Sequence, residues 1–81
     1  MKSKFVEIKT PWISPDENVI EVHQWLVTEG DTIEIDQDIL VLIVDGEEFN
    51  LPSPVDGKIL EILVEPNDII TADQVLAIVE I

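Results

Sequence analysis

The chain has no cysteine, no tyrosine and no arginine, and a single histidine. Without cysteine there is no disulfide framework, no thiolate zinc site and no cysteine nucleophile. Without arginine, four lysines (Lys2, Lys4, Lys9, Lys58) face eighteen carboxylates, for a formal net charge of −14. That balance repels nucleic acid and anionic membrane surfaces, which excludes both as partners. It draws a protein partner with a basic surface, with an attraction that weakens as salt is added; it serves solubility equally well. Long hydrophobic runs are missing too. The longest aliphatic stretch, Ile39 to Val44, is far too short to span a bilayer, and no signal-peptide pattern opens the chain. The expectation is a cytoplasmic protein.

What is present is a small globular chain. Eighty-one residues read as one domain, 1–81, and 46% apolar content separates it from a disordered acidic tail. Apolar residues alternate or run in short stretches rich in valine and isoleucine: Phe5 to Ile8, Val19 to Val27, Ile39 to Val44, Ile59 to Val64, Val75 to Ile81. β-Branched side chains in that pattern favour a pleated, half-buried surface over helix. Turn signals such as Glu29-Gly30-Asp31, Asp45-Gly46, Asp56-Gly57 and Pro66-Asn67-Asp68 recur about every eight to twelve residues, the spacing of an all-β sandwich or barrel.

The chain repeats itself. A shift of 37 residues lays Leu26-Val27 on Leu63-Val64, Asp31 on Asp68, Ile33 on Ile70 and Asp36-Gln37 on Asp73-Gln74. Apolar residues match apolar ones between these identities, as with Val22 and Ile59 or Leu42 and Val79. Two copies of one strand–turn–strand unit, neither able to bury its apolar face alone, imply quasi-two-fold packing. The repeat puts Leu26, Leu63, Leu42 and Val79 in one shared core, and the Asp31 and Asp68 turns at equivalent places. Gly30 and Gly57 are expected at positive φ. Asp45-Gly46, flanked by Ile39–Val44 and Glu47–Leu51, is the strongest hairpin signal in the chain.

Three segments resemble the biotinyl/lipoyl domain family, and most closely the lipoyl domain of 2-oxo acid dehydrogenase acyltransferases. They are Glu7–Pro15; Trp25–Ile33 with Asp36–Leu40; and Pro52–Ile59 with Ile62-Leu63-Val64 and Asp68. The resemblance covers nearly the whole chain. It implies a flattened β-barrel, a barrel-sandwich hybrid of two four-stranded antiparallel sheets, with the termini together at one end. It also implies a cofactor site at the central hairpin tip, where the family carries lipoate, or biotin in the sister branch, on one lysine. Counting back from Pro52-Ser53-Pro54 puts that lysine's position on Gly46, between a retained Asp45 and Glu47, where the family commonly has alanine. Glycine has no amine to acylate, so no covalently bound cofactor is expected. Trp12 and the acidic Asp45, Glu47 and Glu48 are candidate partner contacts, and Ile20 stands where the family often has a small residue.

Other chemistry is poorly represented. His23 falls in an alternating strand and reads as a solvent-facing residue. Ser3, Ser14 and Ser53 sit beside no base signal. Asp45, Glu47, Glu48, Asp36 and Asp38 lack the spaced pattern of a calcium loop, so no metal is expected. The favoured reading is a non-catalytic binding or regulatory module directed at dehydrogenase-complex components; the alternative is a genuine swinging-arm carrier with an altered attachment site, and a third is a purely structural domain of a larger assembly. The chain opens on Met1 without a tag and stops at Ile81 without an Ala/Pro-rich linker; the expectation is a free-standing protein rather than an expressed fragment.

Overall fold

The computed structural model describes residues 4–11 and 19–81. Eight strands follow one another: β1 (Phe5–Lys9), β2 (Ile20–Trp25), β3 (Thr32–Ile33), β4 (Asp38–Val44), β5 (Glu47–Pro52), β6 (Gly57–Ile62), β7 (Ile69–Ile70) and β8 (Val75–Glu80). They form two four-stranded sheets, ordered β1-β8-β6-β3 and β5-β4-β2-β7, with every pairing antiparallel. This is the expected all-β sandwich of two sheets, stacked and not closed into one barrel. Ile81 N–H donates to the Lys4 carbonyl at 2.9 Å, so the two ends of the described chain lie together.

The 37-residue repeat is visible bond by bond. Gly30 N–H donates to Ile59 O and Asn67 N–H to Val22 O, each at 2.7 Å. The Asp31 carboxylate accepts from Thr28 N–H at 2.9 Å, and Asp68 accepts from Glu65 N–H at 2.8 Å. The Gln37 and Gln74 side-chain carbonyls accept from Glu34 and Thr71 N–H at 2.9 and 3.0 Å. Positive φ recurs with the same offset, at Gly30 and Asn67 (94° and 76°) and at Asp36 and Asp73 (70° and 63°). Aspartate and asparagine tolerate this region because their short polar side chains bond locally.

One hydrophobic core lies between the sheets. Val22, Ile39, Leu40 and Leu42 from one meet Ile59, Leu76, Ala77 and Val79 from the other, all fully buried. Leu26 and Leu63 are not in it. Both are 46% exposed, so the expectation that they share the core with Leu42 and Val79 holds for the last two only. The cause is a pair of equivalent bulges, between Val22 and Gln24 in β2 and between Ile59 and Glu61 in β6. Each extra residue resets the alternation. Ile20 and Val22 point inward, but beyond the bulge Trp25 and Val27 do so, and Leu26 faces out. Ile62, Val64 and Leu63 repeat that arrangement.

Gly57 also departs from expectation. Its φ is not positive; a Cβ there would lie 2.5 Å from the Glu80 carbonyl oxygen and 2.6 Å from Val79 Cγ1. Glycine is needed for close approach of β6 to β8, not for a turn. Its equivalent in the other half is Ile20, which is buried between Val44 and Ile70.

Candidate functional site

The central hairpin is built as its sequence dictates. Val44 pairs with Glu47, which leaves Asp45 and Gly46 as a two-residue connection. Both have positive φ, 53° and 81°, the requirement of the type I′ turn that matches strand twist. Among the described residues nothing lies within 4 Å of a Cβ built on Gly46. Asp45, Gly46, Glu47 and Glu48 are all exposed. The structure therefore brings three of the expected partner-contact residues together with Gly46. Trp12 falls outside the described residues.

The tip carries carboxylates and no amine. Among the described residues, the lysines belong to the other sheet or its margin: Lys9 in β1, Lys58 in β6 opposite Thr32 and Glu80, and Lys4 beside the C-terminal residue. Lys9 Nζ lies 3.9 Å from the Glu7 carboxylate, with both side chains about half exposed, a pair that contributes little. By the 37-residue offset, the tip holds in one half the place that the chain ends hold in the other.

Among the described residues no nucleophile is poised nearby. Ser53 is 1% exposed; its hydroxyl donates to Val55 O at 2.6 Å and accepts from Val55 N–H, so it closes the joint between the halves. His23 is exposed on β2, as its place in the alternation predicts. Among the described residues no group of three His, Asp or Glu side chains could hold a metal ion.

Sequence reading missed three side chains that fasten the frame behind the tip. Trp25 Nε1–H donates to Val64 O at 3.0 Å, the Glu29 carboxylate accepts from Ile62 N–H at 2.9 Å, and the Asp56 carboxylate accepts from Ile35 N–H at 2.7 Å. None has a counterpart 37 residues away, so the repeat could not point to them. The glutamine caps did leave a signal. Asp36-Gln37 and Asp73-Gln74 are identical across the halves, where packing alone would require only similar polarity.

Fold and tip together define a small β-sandwich module with an exposed two-residue hairpin turn. Residues 6–79 match the biotin/lipoyl family described as "Biotin-requiring enzyme". The chain is 42% identical over 58 residues to the dihydrolipoyllysine-residue acetyltransferase component of the pyruvate dehydrogenase complex of Corynebacterium glutamicum, covering 72% of this chain and 9% of that protein. It is 30% identical over 74 residues to the dihydrolipoyllysine-residue succinyltransferase component of the 2-oxoglutarate dehydrogenase complex of Bartonella vinsonii subsp. berkhoffii, and 31% identical over 74 to the lipoamide acyltransferase component of the branched-chain alpha-keto acid dehydrogenase complex of Pseudomonas putida. These two alignments each cover 91% of this chain and 18% of the relative. The chain belongs to the biotin/lipoyl domain family and is a lipoyl-domain-like relative of acyltransferase components. It spans less than a fifth of the length of these relatives. Among the described residues no helix is long and apolar enough to cross a membrane.

Proposed function

We propose that this protein is a lipoyl-domain-like binding or regulatory module that carries no covalent cofactor. One observation carries the reading: Gly46, at the position assigned to the family's attachment lysine, has no side chain and sits at the apex of an exposed two-residue turn. Lipoate and biotin both attach by an amide to a lysine amine, and the tip offers Asp45, Glu47 and Glu48 instead. The described lysines in or beside the other sheet are poor substitutes, because a ligase that reads hairpin geometry meets them on regular strands or at the chain end. In this reading the domain performs no chemistry itself. It occupies the docking surface of a cytoplasmic protein that recognises lipoyl domains, with components of dehydrogenase complexes as the partner class and a basic surface as the matching feature. The relatives' membership of such complexes supports a protein partner.

Co-expression with a lipoate ligase, and separately with a biotin ligase, followed by intact-mass measurement tests this. The expected mass is that of the bare chain. A mass gain mapped to Lys9 or Lys58 would replace the reading with that of a carrier whose attachment site has moved.

A further inference from the structure

Strand register places four side chains in one row across the outside of the β5-β4-β2-β7 sheet: Glu48, Ile43, Glu21 and Ile69. Neighbouring rows on the opposite side hold Leu42 and Val22, both fully buried, so this row faces away from the core. Ile69 is 57% exposed and Ile43 partly so. The equivalent row of the other sheet reads Phe5, Glu80, Lys58 and Thr32, with Lys9 further along β1. One outer face thus alternates carboxylate and isoleucine with no lysine among its described strands; its counterpart mixes both signs of charge.

We infer that this row is a docking surface for a basic amphipathic helix of a partner protein, lying across the strands. Adjacent strands are about 4.8 Å apart, which puts Glu48 and Glu21 about 10 Å apart, and the two isoleucines likewise. A helix advances about 5.4 Å per turn. Lys or Arg at i and i+7, with apolar residues at i+4 and i+11, therefore meets carboxylate, isoleucine, carboxylate and isoleucine in turn. The charges fix register and speed encounter, while the isoleucines supply the apolar contact. Glu48 joins this face to the tip through Glu47, so the surface is continuous with the site described above. The inference rests on the reading of the chain as a binding module, and is independent of the missing amine.

The test is an NMR titration of the isotopically labelled chain with an 18-residue helical peptide carrying Lys at i and i+7 and Leu at i+4 and i+11. A scrambled peptide of the same composition is the reference. Saturable shifts centred on Glu21, Ile43, Glu48 and Ile69 are expected, with affinity about tenfold above the scrambled peptide. Glu21→Lys with Glu48→Lys should weaken binding about tenfold, and Glu7→Lys with Glu61→Lys, the same charge change on the other sheet, by about twofold or less. Should the first pair fail to fold, Ile69→Lys replaces it. Equal loss from both pairs, equal binding of the two peptides, shifts centred on the tip or the other sheet, or no saturable binding would each overturn the inference. None of these results bears on the mass measurement, so the two readings fail separately.

Discussion

Residues 20–44 and 57–81 carry the same bulges, left-handed turns at equivalent places and the same aspartate and glutamine caps, yet they end differently, and the two sheets they build face solvent differently. One half closes with the Asp45-Gly46 turn, the other with the chain ends. The two sheets differ as well: β5-β4-β2-β7 presents Glu48, Ile43, Glu21 and Ile69 on its outer face, and β1-β8-β6-β3 presents Phe5, Glu80, Lys58 and Thr32. The kept features are those that satisfy buried apolar area or backbone hydrogen bonds, which both halves need equally. The divergent ones lie where solvent or a partner is the neighbour, and where folding imposes nothing.

If the halves are equivalent inside, Ile39→Ala and Leu76→Ala should each cost about 2–5 kcal/mol, and agree within about 1 kcal/mol. In the same urea melts Leu26→Ala and Leu63→Ala should cost less than about 1 kcal/mol each, because half of each side chain already meets water. A large loss at either leucine would return it to the core and discard the bulge account.

The glycines give the next largest difference. Gly57→Ala forces a methyl against the Glu80 carbonyl and should cost about 1–3 kcal/mol. Gly30 has open space but φ of 94°, so Gly30→Ala should cost about 1 kcal/mol. Gly30→Asn should cost less, since asparagine holds the equivalent place at position 67. Thermal unfolding of the three variants would show the order, and a Gly30→Asn variant less stable than Gly30→Ala breaks the equivalence of the two turns.

Smaller again are the caps. Gln37→Ala and Gln74→Ala should each lose about 0.5–1.5 kcal/mol, and by similar amounts, because each removes one acceptor from one backbone N–H. Unequal losses in paired denaturation curves would show that the halves are matched in geometry but not in energy.

The smallest effect on stability belongs to the tip, where the expected change is chemical. A Cβ at Gly46 meets no neighbour among the described residues, so Gly46→Lys should cost about 1 kcal/mol or less for its positive φ. With a purified lipoate ligase it should be acylated slowly, and Gly46→Lys with Glu47→Ala readily, because the Glu47 carboxylate repels the approaching acyl-adenylate phosphate. A mass time course reads both. A folded double variant that accepts nothing would mean the hairpin differs from the family's acceptor in more than its apex.

Much of this is legible in the amino-acid sequence. β-Branched alternation and evenly spaced turns announce an all-β chain, the 37-residue offset announces two-fold packing, and Asp-Gly between Ile39–Val44 and Glu47–Leu51 announces the hairpin. The absence of an amine at that tip is a property of the sequence alone. Other features required the fold. A period of two says that neighbours point oppositely but not which points inward, and a bulge inverts the answer midway along a strand; hence Leu26 and Leu63 face out where extrapolation from Val22 and Ile59 turns them in. Gly57 looks like a turn glycine until β8 is laid against it. The Trp25 bond to Val64 and the row of Glu48, Ile43, Glu21 and Ile69 join residues from distant parts of the chain. Sequence records what each strand offers along its length, whereas neighbours across strands exist only once register is set, and register is decided by the packing of the whole core.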